Sequence, residues 1–245
     1  MDMATQYRAA MLRAVLDPRR WPLPGGCQIC LAWGQDRLCR DCVTRFAPAL
    51  DRCPRCALVL RAGACPDCLR EPLPLDATVA AVDYAAPWDG LVHGLKYHAR
   101  LSAGMALADL LAAAVRRSGV AMDGVQLLPV PLHPQRLAER GHNQAHEIAR
   151  HLSRALGLRL PSPLVQRLAD TPSQALAPDR QTRQQRLREA FALRAGASVA
   201  GQHWALVDDV MTTGATMSAL AALLRRHGAA SVQAWCVART PRPTD

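Results

Sequence analysis

The residues with the clearest chemistry are Asp208 and Asp209, followed at once by Thr212, Thr213, Gly214, Ala215 and Thr216. Ahead of them Ala205-Leu206-Val207 is apolar and β-prone; behind them a helical pattern begins. A strand that delivers two carboxylates and then turns into a helix start leaves free amides and hydroxyls aimed at one point, a cradle suited to a phosphate monoester. Acids next to a phosphate repel it unless they hold something else. Ribose hydroxyls and magnesium meet that need: Asp208 and Asp209 can accept from the 2- and 3-hydroxyls of a ribose whose 5-phosphate fills the turn, with Mg2+ offsetting the local charge. The Gly-Lys-Ser/Thr ending of a Walker loop and the GxGxxG of a dinucleotide loop are both missing from the sequence.

A second chemistry is carried by cysteine. Eight of the nine cysteines form CxxC pairs: Cys27 and Cys30, Cys39 and Cys42, Cys53 and Cys56, Cys65 and Cys68. Eight residues separate the pairs within each half, so the spacing repeats. A CxxC turn brings two sulfurs onto one ion, and two such turns complete the tetrahedron zinc prefers. Thioredoxin-like dithiols come singly at a helix start, which makes redox the weaker reading. Two structural zinc ions are expected, each held by four sulfurs with no open position. Sequential pairing is the simpler arrangement; spacing leaves crossed pairing open. Cys236, alone in an apolar run, reads as a core residue.

The remaining motifs are Pro129-Val130-Pro131-Leu132-His133-Pro134-Gln135-Arg136 and Arg140-Gly141-His142-Asn143-Gln144-Ala145, which follow a strand and open a helix. The Asp-Asp and Thr-Thr-Gly-Ala-Thr block resembles the phosphoribosyl pyrophosphate signature of type I phosphoribosyltransferases. With the two motifs above and the cysteine-rich front, the chain is similar to the ComF family from about residue 21 to residue 239. That resemblance implies an α/β type I phosphoribosyltransferase fold, a parallel sheet flanked by helices, behind a small zinc-ribbon module. It also implies that Arg136, Arg140, Asn143 and Gln144 face a pyrophosphate, and that Lys96, in a Leu-Lys-Tyr element, can reach a phosphate. Arg167, Gln174 and Arg183 would lie in a cover over the site that excludes water. Arg186 departs from the family pattern, which tends to carry Asn there.

These residues need elements to hold them. Strands are expected over 79–84, 126–130, 204–207 and 231–238, and helices over 3–16, 101–117, 143–156, 180–189 and 215–227. Strands alternating with helices argue for a parallel sheet covered on both faces, with ligands at the carboxyl ends of the strands. Turn-rich segments 21–26 and 71–75 divide the chain into a helix over 1–20, a double zinc ribbon over 21–75 and the phosphoribosyltransferase-like domain over 76–245.

The formal charge is +10, and 29 of the 30 basic residues are Arg, Lys96 being the exception. A compact ammonium kept in so Arg-biased a chain suggests a place where a planar guanidinium does not serve. Residues 136–194 hold 11 Arg against 5 acids, so the positive field belongs to the middle of the large domain. Arg8 and Arg13 interrupt any export-signal pattern, no apolar run is long enough to span a membrane, and a cytoplasmic protein is expected.

The leading expectation is a protein that binds Mg-phosphoribosyl pyrophosphate and can pass the phosphoribosyl group to a nitrogen acceptor. Asp208 and Asp209, Asp209 above all, would help the ribose bear charge without acting as a base. The alternative, from the ComF association with competence, is a non-catalytic accessory protein of natural transformation that binds single-stranded DNA or a nucleotide; a zinc module that tethers the domain to DNA-processing proteins is compatible with either. Aromatic residues make up only 4% of the chain, which leaves few platforms for stacking bases.

Overall fold

The computed structural model describes residues 25–61, 63–168 and 189–242. The chain divides into two compact units, the boundary along the sequence falling after Phe46. In the smaller unit, strands β1 (Gly25–Gly26) and β2 (Trp33–Gly34) form a two-residue antiparallel ladder, and helix α1 spans Arg40–Phe46. The helix expected over 3–16 lies outside the described residues.

The larger unit runs α2 (Pro66–Arg70), β3 (Ala77–Asp83), α3 (Trp88–His98), α4 (Leu101–Ser118), β4 (Val125–Pro129), α5 (Pro134–Arg140) and α6 (Gln144–Leu156). It continues with β5 (Val165–Arg167), β6 (Phe191–Leu193), β7 (His203–Met211), α7 (Ala215–Arg226) and β8 (Ser231–Arg239). Strands β3, β8, β7 and β4 form one all-parallel sheet in that order. Parallel strands covered on both faces are apolar throughout rather than alternating. The two central strands follow this over most of their length: β7 buries Trp204 to Val207, and β8 buries every residue from Val232 to Arg239, of which only Gln233 and Arg239 are polar.

The long helices form where apolar positions recur at helical spacing. Helix α4 buries Ala103, Leu107, Leu111 and Val115, and α6 buries Ile148, Ala149 and Leu152. Both end on a glycine in the left-handed region, Gly119 and Gly157, where the missing Cβ removes the steric penalty. Strands β5 and β6 pair antiparallel as a separate two-stranded sheet.

Two departures from the sequence expectations matter for the site. Strand β7 does not stop at Val207 but runs on to Met211, because β8 remains in register beside it out to Met211↔Arg239. The backbone ladder continues whatever side chains it carries, so Asp208 and Asp209 sit within the strand rather than beyond it. Helix α3, which the pattern missed, packs Trp88, Leu91, Val92 and Leu95 inward and carries Lys96 in its last turn. The helix expected over 180–189 falls almost wholly outside the described residues.

Candidate phosphate and carboxylate site

The turn after β7 is shaped by Gly214, whose φ is +81° and which precedes the first residue of α7. A Cβ there would lie 2.8 Å from Met211 Cε and 3.0 Å from Leu73 Cδ1, so both the backbone angle and the space call for glycine. Thr212 and Thr213 are exposed, and the Thr213 hydroxyl accepts from the Ala215 amide at 3.3 Å. Ala215 and Thr216 form the first turn of a 12-residue helix, so their amides point out of its N-terminus.

Next to this turn, Asp209 is buried and Lys96 Nζ lies 3.0 Å from its Oδ2. Asp208 accepts the Asp209 amide at 2.9 Å. Burial pushes the Asp208 carboxyl up to about 8, the Asp209 charge adds to the rise, and the Asp209 amide and the Lys96 ammonium pull part of it back. Two adjacent acids of which one resists ionisation form a site that favours an added cation or a set of hydroxyl donors.

Lys96 also lines a cleft of about 780 Å³ together with Tyr97, His98, Arg136, Glu139 and Arg140. The structure therefore brings three of the expected anion-binding side chains, Lys96, Arg136 and Arg140, to one cavity. Arg140 stacks over the Tyr97 ring at 5.3 Å and donates to Gln144 Oε1 at 3.3 Å. The Gln144 amide nitrogen is buried and has no hydrogen-bond acceptor among the described residues. Asn143 has a different duty: its Oδ1 caps α6 by accepting from Ala145 and His146, and its Nδ2 donates to the Val130 carbonyl at 3.0 Å. His133 caps α5. His142 bridges the Arg140 and Leu95 carbonyls at 2.9 and 2.8 Å, which ties the arginine-bearing turn to the helix of Lys96. Both histidines thus have backbone partners.

Arg167 is placed on β5, with its guanidinium 5.5 Å over the Phe191 ring. Gln174 and Arg183, the other expected cover residues, lie outside the described residues.

Each half of the cysteine repeat closes on itself. Sγ atoms of Cys27, Cys30, Cys39 and Cys42 lie within 4.8 Å of one another, as do those of Cys53, Cys56, Cys65 and Cys68. This is the sequential pairing. The Cys30–Cys39, Cys53–Cys68 and Cys56–Cys65 contacts are each 3.6 Å, close to the roughly 3.8 Å edge of a tetrahedron with 2.3 Å zinc–sulfur bonds. In the first cluster the Cys39 amide donates to Cys27 Sγ at 3.3 Å, support that a thiolate ligand uses. Burial, then the neighbouring thiols, push Cys42 up to about 12. Four sulfurs this crowded ionise together only around a cation, so the donor set fits zinc in both clusters. Cys236 is fully buried in β8, where its thiol donates to the Val79 carbonyl.

One site residue escaped the sequence reading. Arg239, at the end of β8, is buried, and its guanidinium donates to the carbonyls of Met211 (3.1 Å), Thr212, Thr240 (3.0 Å) and Cys56 (2.8 Å). The available signal was an arginine closing a mostly apolar strand, a position where a cation needs a reason.

The phosphoribosyl transferase domain family matches residues 142–245. DNA utilization protein YhgH of Escherichia coli O6:H1 is 37% identical over 227 residues, covering 89% of this chain and 98% of that one. Competence protein F of Haemophilus influenzae is 32% identical over 208 residues, covering 82% and 90%. The chain belongs to the ComF family. Among solved structures, the allosteric regulatory enzyme of purine biosynthesis aligns at 18% identity with a TM-score of 0.39, over 59% of this chain and 29% of that one. This ComF-family chain combines a phosphoribosyltransferase-type domain with two cysteine clusters that could each hold zinc. No helix among its described residues is long and apolar enough to cross a membrane.

Proposed function

We propose that the β7–α7 turn binds the 5-phosphate of phosphoribosyl pyrophosphate, that Asp208 and Asp209 take its ribose hydroxyls, and that Mg2+ arrives with the ligand. The single observation that carries this reading is the juxtaposition of a buried acid pair, its lysine partner and a glycine-shaped helix start at the end of a central parallel strand. The cleft lined by Lys96, Arg136 and Arg140 takes the pyrophosphate end. Gln144, whose amide donors are buried beside Arg140, is suited to a ligand oxygen. In the reaction, the C1–oxygen bond of the sugar breaks and pyrophosphate leaves with the electron pair, while a nitrogen acceptor forms the new C1–nitrogen bond and releases its proton. The arginines and the lysine stabilise the departing charge, and Asp209 stabilises the positive ribosyl centre. Arg167, Gln174 and Arg183 belong to the cover in this reading. Two zinc ions shape the cysteine clusters, and the protein works in the cytoplasm.

A second reading is favoured by the names of the relatives and by the Arg surplus over 136–194: the same protein handles single-stranded DNA in transformation, with or without turnover. Calorimetric titration of the zinc-loaded protein with Mg-phosphoribosyl pyrophosphate, beside a labelled single strand, separates the two. Replacing both acids, Asp208→Ala with Asp209→Ala, is expected to abolish sugar-phosphate binding; unchanged affinity would sink the first reading. Single-strand affinity that ignores salt would sink the second.

A further inference from the structure

We infer that Arg239 is a positioning residue that makes the shape of the phosphate turn depend on metal loading of the Cys53–Cys68 cluster. The inference deepens the proposed function and rests on it only for the identity of the ligand.

The connection is short and buried. One guanidinium spans the two places: Nε donates to the carbonyl of Cys56, a residue of the cluster, and Nη1 donates to the carbonyls of Met211, the last residue of β7, and Thr212, the first of the turn. Thr212, an exposed residue, is thereby fixed by its carbonyl. A second contact runs in parallel. Leu73, which packs against the cluster, lies under Gly214, the residue that sets the turn's left-handed angle. A third tie holds the cluster to the sheet: Thr78 donates its hydroxyl to the Arg55 carbonyl at 2.7 Å, and Arg52 bridges the Ala57 carbonyl and Asp83.

Charge explains why metal matters and not only the fold around it. All the acceptors of Arg239 named above are backbone carbonyls, so its charge must be balanced from further away. Four thiolates around Zn2+ carry a formal charge of about −2, and this complex lies one backbone carbonyl away from Arg239. Arg242, whose Nη2 is 3.3 Å from Cys65 Sγ, flanks the same cluster. Loaded, the cluster adds negative charge beside Arg239 and closes the turn that holds the Cys56 carbonyl against Arg239 Nε; emptied, it loses the ion that joins its four sulfurs, and that carbonyl is no longer fixed. The arginine then no longer pins Met211 and Thr212.

The test uses the whole zinc-loaded chain and two readouts. Hydrogen exchange of the amides at 212–216 is followed in the absence of any ligand, and affinity for Mg-phosphoribosyl pyrophosphate is measured by calorimetry. Both are recorded before and after chelation, in the wild type and in Arg239→Gln and Arg239→Lys. Alkylation of Cys53, Cys56, Cys65 and Cys68, read by mass spectrometry, identifies molecules that have lost this ion. Metal loss is expected to speed exchange at 212–216 and to weaken ligand binding by about tenfold, the scale of one charge-assisted hydrogen bond. Arg239→Gln with its zinc intact should show the same two changes, and chelation should then add little. Arg239→Lys, charged but unable to fork, should fall between.

Exchange at 212–216 that ignores metal loss would overturn the inference, as would losses from chelation and from Arg239→Gln that simply add. If those amides respond as expected while no sugar phosphate binds, the coupling stands and the proposed ligand fails.

Discussion

The proton on Asp208 should compete with the ligand. Its carboxyl, pushed up to about 8 by burial first and by Asp209 second, holds a proton at neutral pH in the free protein. A ribose held by both carboxylates, with Mg2+ nearby, favours the ionised form, so binding must release that proton. Between pH 8 and pH 7 the observed affinity then falls about fivefold, approaching about tenfold, or about 1.4 kcal/mol, per unit at lower pH, and it levels off above pH 8. The phosphates of the ligand titrate near pH 6, so the window between pH 7 and pH 8 belongs to the protein. Lys96 is one of the groups that hold the Asp208 value down, so Lys96→Met should move the break in the curve to higher pH as well as weaken binding. The measurement is calorimetry in two buffers of different ionisation enthalpy, which counts protons released per ligand: close to one at pH 7 in the wild type and close to zero in Asp208→Asn. The same shift acts on folding. A carboxyl raised in the folded state binds its proton more tightly there than in the unfolded chain, so ligand-free stability falls as pH rises from about 4 towards 8 and is flat beyond. Affinity that does not change between pH 7 and 8, or equal proton release from Asp208→Asn, would refute the reasoning.

Other outcomes follow from the same geometry. Gly214→Ala forces a Cβ onto a left-handed residue and against Met211 and Leu73; a stability loss of about 2 kcal/mol is expected in urea titrations together with loss of sugar-phosphate binding, and a variant as stable as the wild type would show the turn to be slack. Metal analysis of the purified chain should find two zinc ions. Cys56→Ser should remove one of them and lower the melting temperature of the larger unit, since Cys53, Cys56, Leu58 and Cys65 form one buried cluster; an unchanged melt at a zinc content of one would rule out a structural role for that ion.

How much was legible in the sequence differs from residue to residue. The strand and helix start that carry the Asp208-Asp209 pair and the Thr212–Thr216 turn could be read because they are contiguous in the chain. The eight CxxC cysteines were legible for the same reason, while their grouping into two sequential sets came from the structure. Order along the sheet was not: β8, last in the chain, lies between β3 and β7. Helix α3 was hidden by its short length and by Gly90 and Gly94 within it, and its burial against α4 is what stabilises it.

Sequence by itself determined which groups this protein brings to the site: paired acids, a glycine-bent threonine turn, one lysine in an arginine-rich chain, and eight thiols in CxxC pairs. Tertiary structure decided their partners. Lys96 meets Asp209 across more than a hundred residues, and Arg239 joins Cys56 to Met211 and Thr212, because parallel strands in register bring distant segments to one edge. Local periodicity specifies which face of an element is apolar, but a buried ion pair or a guanidinium among carbonyls arises only from long-range packing, which leaves no repeat in the sequence to read.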